Sequence, residues 1–256
     1  MNKKFTNAIN RISQPVPPVW FMRQAGRYHS HYQGLRKKYS FEKLCKTPEL
    51  ASEVACGPIL DFDYDVAILF SDILFPLELM GLSLSYNPGP TFENYLTSDA
   101  LNLKISSDQI RNKLDFQTKA IIKTKSMLPE NKSFVGFVGG PWTILSYGIN
   151  YRNHKKVFLE NEDSSIQSIL YDILIPLLRE NILMQFEAGA EIVYVFDTNS
   201  SQLDNNYFSK IYTEKLQQEL FSPFKNKIAY YSKNLYTFEP GKTKLKLSDL
   251  AGLVYP

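Results

Sequence analysis

Two guanidinium groups stand four residues apart in "PPVWFMRQAGRYHSHY", at Arg23 and Arg27. Such planar forks stay charged and grip carboxylates or phosphates through paired hydrogen bonds. Three other stretches set reactive side chains directly behind apolar runs. "DVAILFSD" closes on Ser71 and Asp72, "SFVGFVGGPWTILSY" carries Tyr147 beyond a Gly-Gly-Pro turn, and "EIVYVFDT" closes on Asp197 and Thr198. Together these supply cations for an acidic ligand, carboxylates to accept hydrogen bonds or face a positive charge, a phenol and a hydroxyl. Each also has a plainer reading. Arginines four apart commonly mark a solvated helix face, a strand-ending Asp often caps the next helix, and a tyrosine such as Tyr147 is commonly a core aromatic. Asp197 fits a salt bridge as well as a site. The small Ala25-Gly26 pair, directly after the apolar run Val19–Met22, favours a loop bent over a pocket.

The elements that must position these groups alternate. Asn2 to Ile12 has the pattern of a short amphipathic helix, and Val19 to Met22 reads as a short buried strand. Helical pattern runs from Ser30 to Phe62 and breaks at Thr47-Pro48, a good helix start. Asp65 to Asp72 is nearly all apolar, as in a strand buried on both faces. Leu82 to Phe92 turns at Asn87-Pro88-Gly89 and reads as a hairpin insertion. Ser107 to Met127 is helical, Ser133 to Gly140 a strand, Ile166 to Ala188 strongly helical. Glu191 to Thr198 is a strand, Asn206 to Phe221 a helix, and Lys227 to Ser232 and Leu250 to Pro256 are strands. Alternating helices and Val/Ile-rich strands predict an α/β protein with a parallel sheet. The 256 residues suffice for a closed (β/α)8 barrel, but only about six barrel strands are found, so the last two βα units are missing from the pattern. In such barrels the chemistry sits at the C-terminal strand ends, where the groups named above fall.

Composition narrows the function classes. Hydrophobic residues make up 44% of the chain and charged residues 21%, enough for a proper core in a single domain over 1–256. A formal charge of +3 gives no case for nucleic acid. No apolar run approaches a membrane span, and "MNKKFTNAINRIS" lacks the apolar core of a secretion signal. Cys45 and Cys56 do not form a metal-type pair and suit a reducing, cytoplasmic setting. His29 and His31 have a spacing that can bind metal, but no Cys or Glu cluster supplies a third ligand, and no metal or cofactor is expected. His154 beside Lys155-Lys156, and the run Arg36-Lys37-Lys38, read as surface.

"PPVWFMRQAGRY" closely resembles the N-terminal signature of the uroporphyrinogen decarboxylases, and "GFVGGPWTILSY" their second signature. "AILFSDIL", "VFDT" and "ELASEVACGPI" match further family stretches in order, so the likeness reaches to about Ser232. The resemblance implies a (β/α)8 barrel that works without metal or organic cofactor. It implies conversion of the four acetate side chains of uroporphyrinogen to methyl groups, giving coproporphyrinogen and carbon dioxide, by a homodimer. Carried over by position, Arg23 and Arg27 grip substrate carboxylates within a binding loop of Arg23, Gln24, Ala25, Gly26 and Arg27. Asp72 accepts from pyrrole N–H groups and stabilises positive charge. Tyr147 and Thr198 contact substrate carboxylates, and Phe137 and Phe196 line the apolar part of the cleft. Such a pocket explains the arginines: an apolar macrocycle carrying eight carboxylates needs cations at the rim and aromatics inside.

The family pattern continues past Pro256 with two more strands, leading into Gly-Asn-Asp-Pro and Gly-His-Gly type segments. The second supplies an active-site histidine, a role no residue here fills. "GINYRN" after Tyr147 and "NSSQLDNN" after Thr198 also depart from the pattern. Two other readings are a zinc-dependent methyltransferase of the same fold and an inactive tetrapyrrole-binding fragment. The first needs late His and Cys ligands, whereas neither cysteine here lies near a strand end.

Overall fold

The computed structural model describes residues 1–151, 164–233 and 244–253. Helix α1 (Lys3–Ile9) is capped by the Asn2 side chain, which accepts from the Phe5 N–H. Three helices follow: α2 (Ser30–Lys38), α3 (Phe41–Lys46) and α4 (Pro48–Phe62). Pro48 opens α4 as expected, where its missing N–H costs nothing. Thr47 precedes it but forms no side-chain capping bond.

Strand β1 (Val66–Ile68) and the short helix α5 (Pro76–Leu79) lead into a hairpin of β2 (Leu84–Tyr86) and β3 (Pro90–Phe92). Helix α6 (Ser107–Met127) starts with a full capping box between Ser106 and Gln109. After it come β4 (Ser133–Gly139), α7 (Pro141–Gly148), α8 (Ser164–Ser168), α9 (Ile175–Glu187) and β5 (Ile192–Phe196). The last helical stretch contains α10 (Asn205–Tyr207) and α11 (Thr213–Leu216) with wider turns between and after them. Strands β6 (Ile228–Tyr231) and β7 (Gly252–Leu253) complete the described chain.

The main sheet is parallel throughout, in the order β1-β4-β5-β6-β7. Neighbours in space are neighbours in the chain once the hairpin is set aside, as in successive βα units of a TIM (β/α)8 barrel. Alternation along the strands divides the core in two. One set of side chains meets the helices in a large outer core that includes Phe134, Val138, Val193 and Val195. The other set, Val66, Val135, Ile192, Tyr194 and Ala229, faces inward and packs on Phe5 of α1. Helix α1 thus plugs the barrel from below, held by Asn2 Nδ2 donating to Asp65 Oδ1 at 3.0 Å and by Lys4 Nζ 2.6 Å from the same carboxylate.

Two expected elements differ. Val19–Met22 is not a ladder strand, and Phe21 and Met22 are exposed. Pro17 and Pro18 offer no N–H to a ladder, and the Val19 N–H donates instead to the Asp65 carboxylate at 2.8 Å, with the Val19 carbonyl accepting from the Asp65 N–H. The segment is an extended tether beside β1. The helix expected over Ile166–Ala188 is interrupted by a π-helical turn, Ile169–Leu174. Pro176, lacking an N–H for the preceding turn, accounts for this widening. Tyr255 and Pro256 at the end of the last expected strand, and His154 with Lys155-Lys156, lie outside the described residues.

Candidate active site

A cavity of about 960 Å³ opens at the C-terminal ends of β1, β4 and β5. Its walls are aromatic and aliphatic: Trp20, Ile68, Phe70, Phe137 and Phe196. Phe137 and Phe196 are inward residues on adjacent strands, and their ring centroids lie 5.9 Å apart. Trp20 stacks edge-on over Tyr194 at 5.0 Å, so the wall continues directly into the inner core. Arg23, Arg27 and Arg36 bring three exposed guanidinium groups to the same cavity.

The loop carrying Arg23 and Arg27 is tightly built. The Gln24 N–H donates to the Phe21 carbonyl at 3.0 Å, and Arg23 inside this turn takes φ +61°. A non-glycine residue there sits in the left-handed region at a cost of about 1 kcal/mol. Gly26 follows because the Arg23 carbonyl oxygen lies only 2.6 Å from where a Cβ would stand. The buried Gln24 side chain is the anchor: Nε2 donates to the Val66 carbonyl at 2.8 Å and Oε1 accepts the Phe21 N–H at 3.2 Å.

Asp72 lies where the chain has left the β1 ladder. Its Oδ1 accepts the Leu74 N–H at 2.8 Å. Burial pushes its pKa up from the ordinary carboxylate value, while the Leu74 N–H and the neighbouring Tyr86 phenol pull the other way. A mostly buried carboxylate under an arginine rim, inside aromatic walls, suits a ligand that is apolar in its body, anionic at its edge and able to donate hydrogen bonds at its centre.

A family model described as "Uroporphyrinogen decarboxylase (URO-D)" matches residues 1–251. The chain belongs to the uroporphyrinogen decarboxylase family. Among curated relatives, the uroporphyrinogen decarboxylase of Helicobacter pylori strain Shi470 is 37% identical over 229 residues, covering 84% of this chain and 66% of the relative. That of Orientia tsutsugamushi strain Ikeda is 37% identical over 253 residues, covering 94% and 71%. The Chlorobaculum parvum enzyme is 33% identical, covering 86% and 64%. The chain therefore spans about two thirds of the length of these relatives. Among solved structures, a methyltransferase from Methanosarcina mazei superposes with a TM-score of 0.65 at 14% identity, covering 90% of this chain and 69% of that one. That likeness shows the barrel fold alone.

Of the residues that the family signatures point to, the cavity brings together Arg23, Ala25, Gly26, Arg27, Asp72, Phe137 and Phe196. Gln24, Tyr147 and Thr198 do not line it. Gln24 is turned into the protein to hold the loop. Tyr147, near the end of α7, is 39% exposed, and Thr198 opens a short 3-10 turn just past β5.

Two sequence readings differ, for Arg36 and Asp197. Arg36 is not merely part of a solvated face: it lines the cavity, with Nη1 donating to the Tyr39 carbonyl at 2.6 Å. Tyr32, four residues earlier on α2, also lines it, and that i, i+4 spacing was the available signal. The two histidines of the His-x-His spacing each meet a separate carboxylate: His29 Nε2 meets Asp61 at 2.6 Å and His31 Nε2 meets Glu53 at 3.2 Å. Asp197 is fully buried and forms no salt bridge among the described residues. It accepts from Thr143 N at 3.0 Å, Thr143 Oγ1 at 2.8 Å, Tyr212 Oη at 2.6 Å and Tyr230 Oη at 3.1 Å. Burial outweighs these bonds and raises its pKa. No helix among the described residues is long and apolar enough to cross a membrane.

Proposed function

We propose that this cleft decarboxylates the acetate side chains of uroporphyrinogen III, giving coproporphyrinogen III and carbon dioxide in tetrapyrrole biosynthesis. The observation that carries the reading is the buried Asp72 carboxylate within an aromatic cavity edged by Arg23, Arg27 and Arg36. The pyrrole N–H groups donate to Asp72, the guanidinium groups bind the ring's carboxylates, and Phe137 and Phe196 cover its apolar body. Tyr147 and Thr198 do not line the cavity, and in this reading they meet carboxylates that extend beyond it. Gln24, Ala25 and Gly26 shape the loop.

The chemistry requires an electron sink. Protonation of the pyrrole carbon bearing the acetate arm makes a cationic, iminium-like ring. The bond between the arm's CH2 and its carboxylate then breaks, carbon dioxide leaves, and the electron pair neutralises the ring. A proton added at the exocyclic carbon gives the methyl group, and loss of the ring proton restores the pyrrole. A carboxylate beside the cation stabilises it more than the neutral ground state. At ~4 Å and an effective dielectric of ~20 this attraction is ~4 kcal/mol, roughly a thousandfold in rate.

In this reading the chain is one cytoplasmic barrel domain that pairs as a homodimer. The test is anaerobic incubation of the purified chain with uroporphyrinogen III. Coproporphyrinogen and carbon dioxide are the expected products, and their absence with a folded chain overturns the proposal.

A further inference from the structure

The β2–β3 hairpin has no place in the barrel sheet, yet it brings a phenol to the cavity. The Tyr86 ring is held between Phe41, with centroids 4.8 Å apart, and Phe75, at 6.1 Å. Its hydroxyl is buried beside Asp72 and forms no hydrogen bond of good geometry among the described residues. Asp72 Oδ1 accepts the Leu74 N–H at 2.8 Å, which leaves acceptor positions of the carboxylate free toward the cavity. A buried donor without a partner thus lies beside a carboxylate that faces the cavity, and a buried donor is rarely left unmet in native structures. A carboxylate has about four acceptor positions, so the phenol and the pyrrole N–H groups fit on it together.

We propose that Tyr86 is a positioning residue for Asp72, its O–H donating to the carboxylate to fix its direction and hold it ionised in the cavity. This rests on the proposed role of Asp72. A neutral donor suits the task. It favours the charged carboxylate against burial without adding a positive charge that would repel the cationic ring. The other ionisable groups facing this pair do not compete for it. Burial pushes the Cys45 thiol of α3 well up, which keeps it protonated. Glu78 of α5 is held by Lys46 Nζ at 2.8 Å and Lys113 Nζ at 3.3 Å. Arg23, Arg27 and Arg36 lie on the exposed side of the cavity.

The experiment is a carbon-13 NMR titration of the aspartate carboxyls in the whole chain, with Asp72→Asn identifying the Asp72 signal. Tyr86→Phe keeps the ring and removes the donor, so the Asp72 midpoint moves up by about one pH unit. The acid limb of kcat/KM moves with it. A purely structural tyrosine would alter the melting temperature and leave both midpoints in place, and that result overturns the proposal. If Tyr86→Phe does not fold, 3-fluorotyrosine at position 86, a stronger donor, must move the Asp72 midpoint down; no movement overturns the proposal equally. The titration needs no turnover. A chain that shows the shift but releases no carbon dioxide upholds the pairing and overturns the proposed reaction.

Discussion

Gln24 Nε2 donates to the carbonyl oxygen of Val66 across 2.8 Å, tying the arginine loop to the first residue of β1. The same side chain receives the Phe21 N–H, so one buried amide holds the loop at two points. Gln24→Leu keeps the volume but removes both bonds and leaves the Val66 carbonyl without its partner. The expected loss is about 1–3 kcal/mol in chemical denaturation. KM for the proposed substrate, uroporphyrinogen, rises as well, because Arg23 and Arg27 flank the anchor. An unchanged denaturation midpoint would show that the loop is held by its turn alone.

Asp72→Asn separates stability from activity. Turnover is expected to fall roughly a thousandfold, since the amide cannot oppose a developing positive charge. Stability moves the other way. Burial raises the Asp72 pKa above its ordinary value of 3.8, so between that value and the raised one the native state binds more protons than the unfolded chain. In that window stability falls as pH rises, and above it the full penalty of holding the charge remains. At neutral pH the Asn variant is therefore more resistant to urea than the parent, and the gap closes as pH falls toward the unfolded value. Comparing the two chains cancels contributions from other carboxylates, Asp197 included. An Asn variant less stable than the parent at neutral pH contradicts this account.

The parallel sheet, the hairpin and the helix over Ser107–Met127 were legible because period and punctuation agree there: continuous apolar strands, a proline-glycine turn, a capping box. Asp72 and Phe196 were legible as cavity residues because barrel geometry places strand ends together, whereas Phe137 came from the family signature and Arg23 and Arg27 from that signature and the loop reading, not from a true strand end. Val19–Met22 misled because four apolar residues look the same whether they pair or not; the two prolines before them were the physical warning. Tyr86 and Arg36 were not recognised for a different reason. They reach the cavity from an insertion and a helix, and neither location follows from strand order. Gln24 could be placed in the loop, but only the observed bond to Val66 gives it a direction.

Gly26→Ala tests the loop from the opposite side. The added methyl meets the Arg23 carbonyl oxygen at 2.6 Å, and that oxygen belongs to backbone already in the left-handed region. Relief requires the turn to open, which displaces both guanidinium groups by a fraction of an ångström or more. A loss of about ten- to a hundredfold in kcat/KM is expected from misplacement on this scale, with a smaller change in melting temperature than for Gln24→Leu because the Gln24 bond to Val66 is kept. Steady-state kinetics at several substrate concentrations would read it, and full activity would mean that the substrate re-forms the loop.

Asp197 makes the opposite prediction, stability without a place in the cavity lining. Its carboxylate gathers Thr143, Tyr212 and Tyr230, and Tyr212 Oη in turn accepts the Trp142 N–H at 2.9 Å. The start of α7, the helix containing Tyr212 and strand β6 thus converge on one buried group. Asp197→Ala leaves the Tyr212 phenol and Thr143 without their acceptor, while Tyr230 keeps Ser200 and Ser232 nearby, and more than about 3 kcal/mol should be lost, with the cost shared across the network rather than summed bond by bond. Tyr230→Phe removes the longest of the four bonds to Asp197, with the hydroxyl's contacts to Ser200 and Ser232, and should cost less, about 1–2 kcal/mol. Urea denaturation of both variants gives the ranking. If the two cost the same, Asp197 is not the node that joins these elements, and the Tyr212 contact to Trp142 must hold α7 without it.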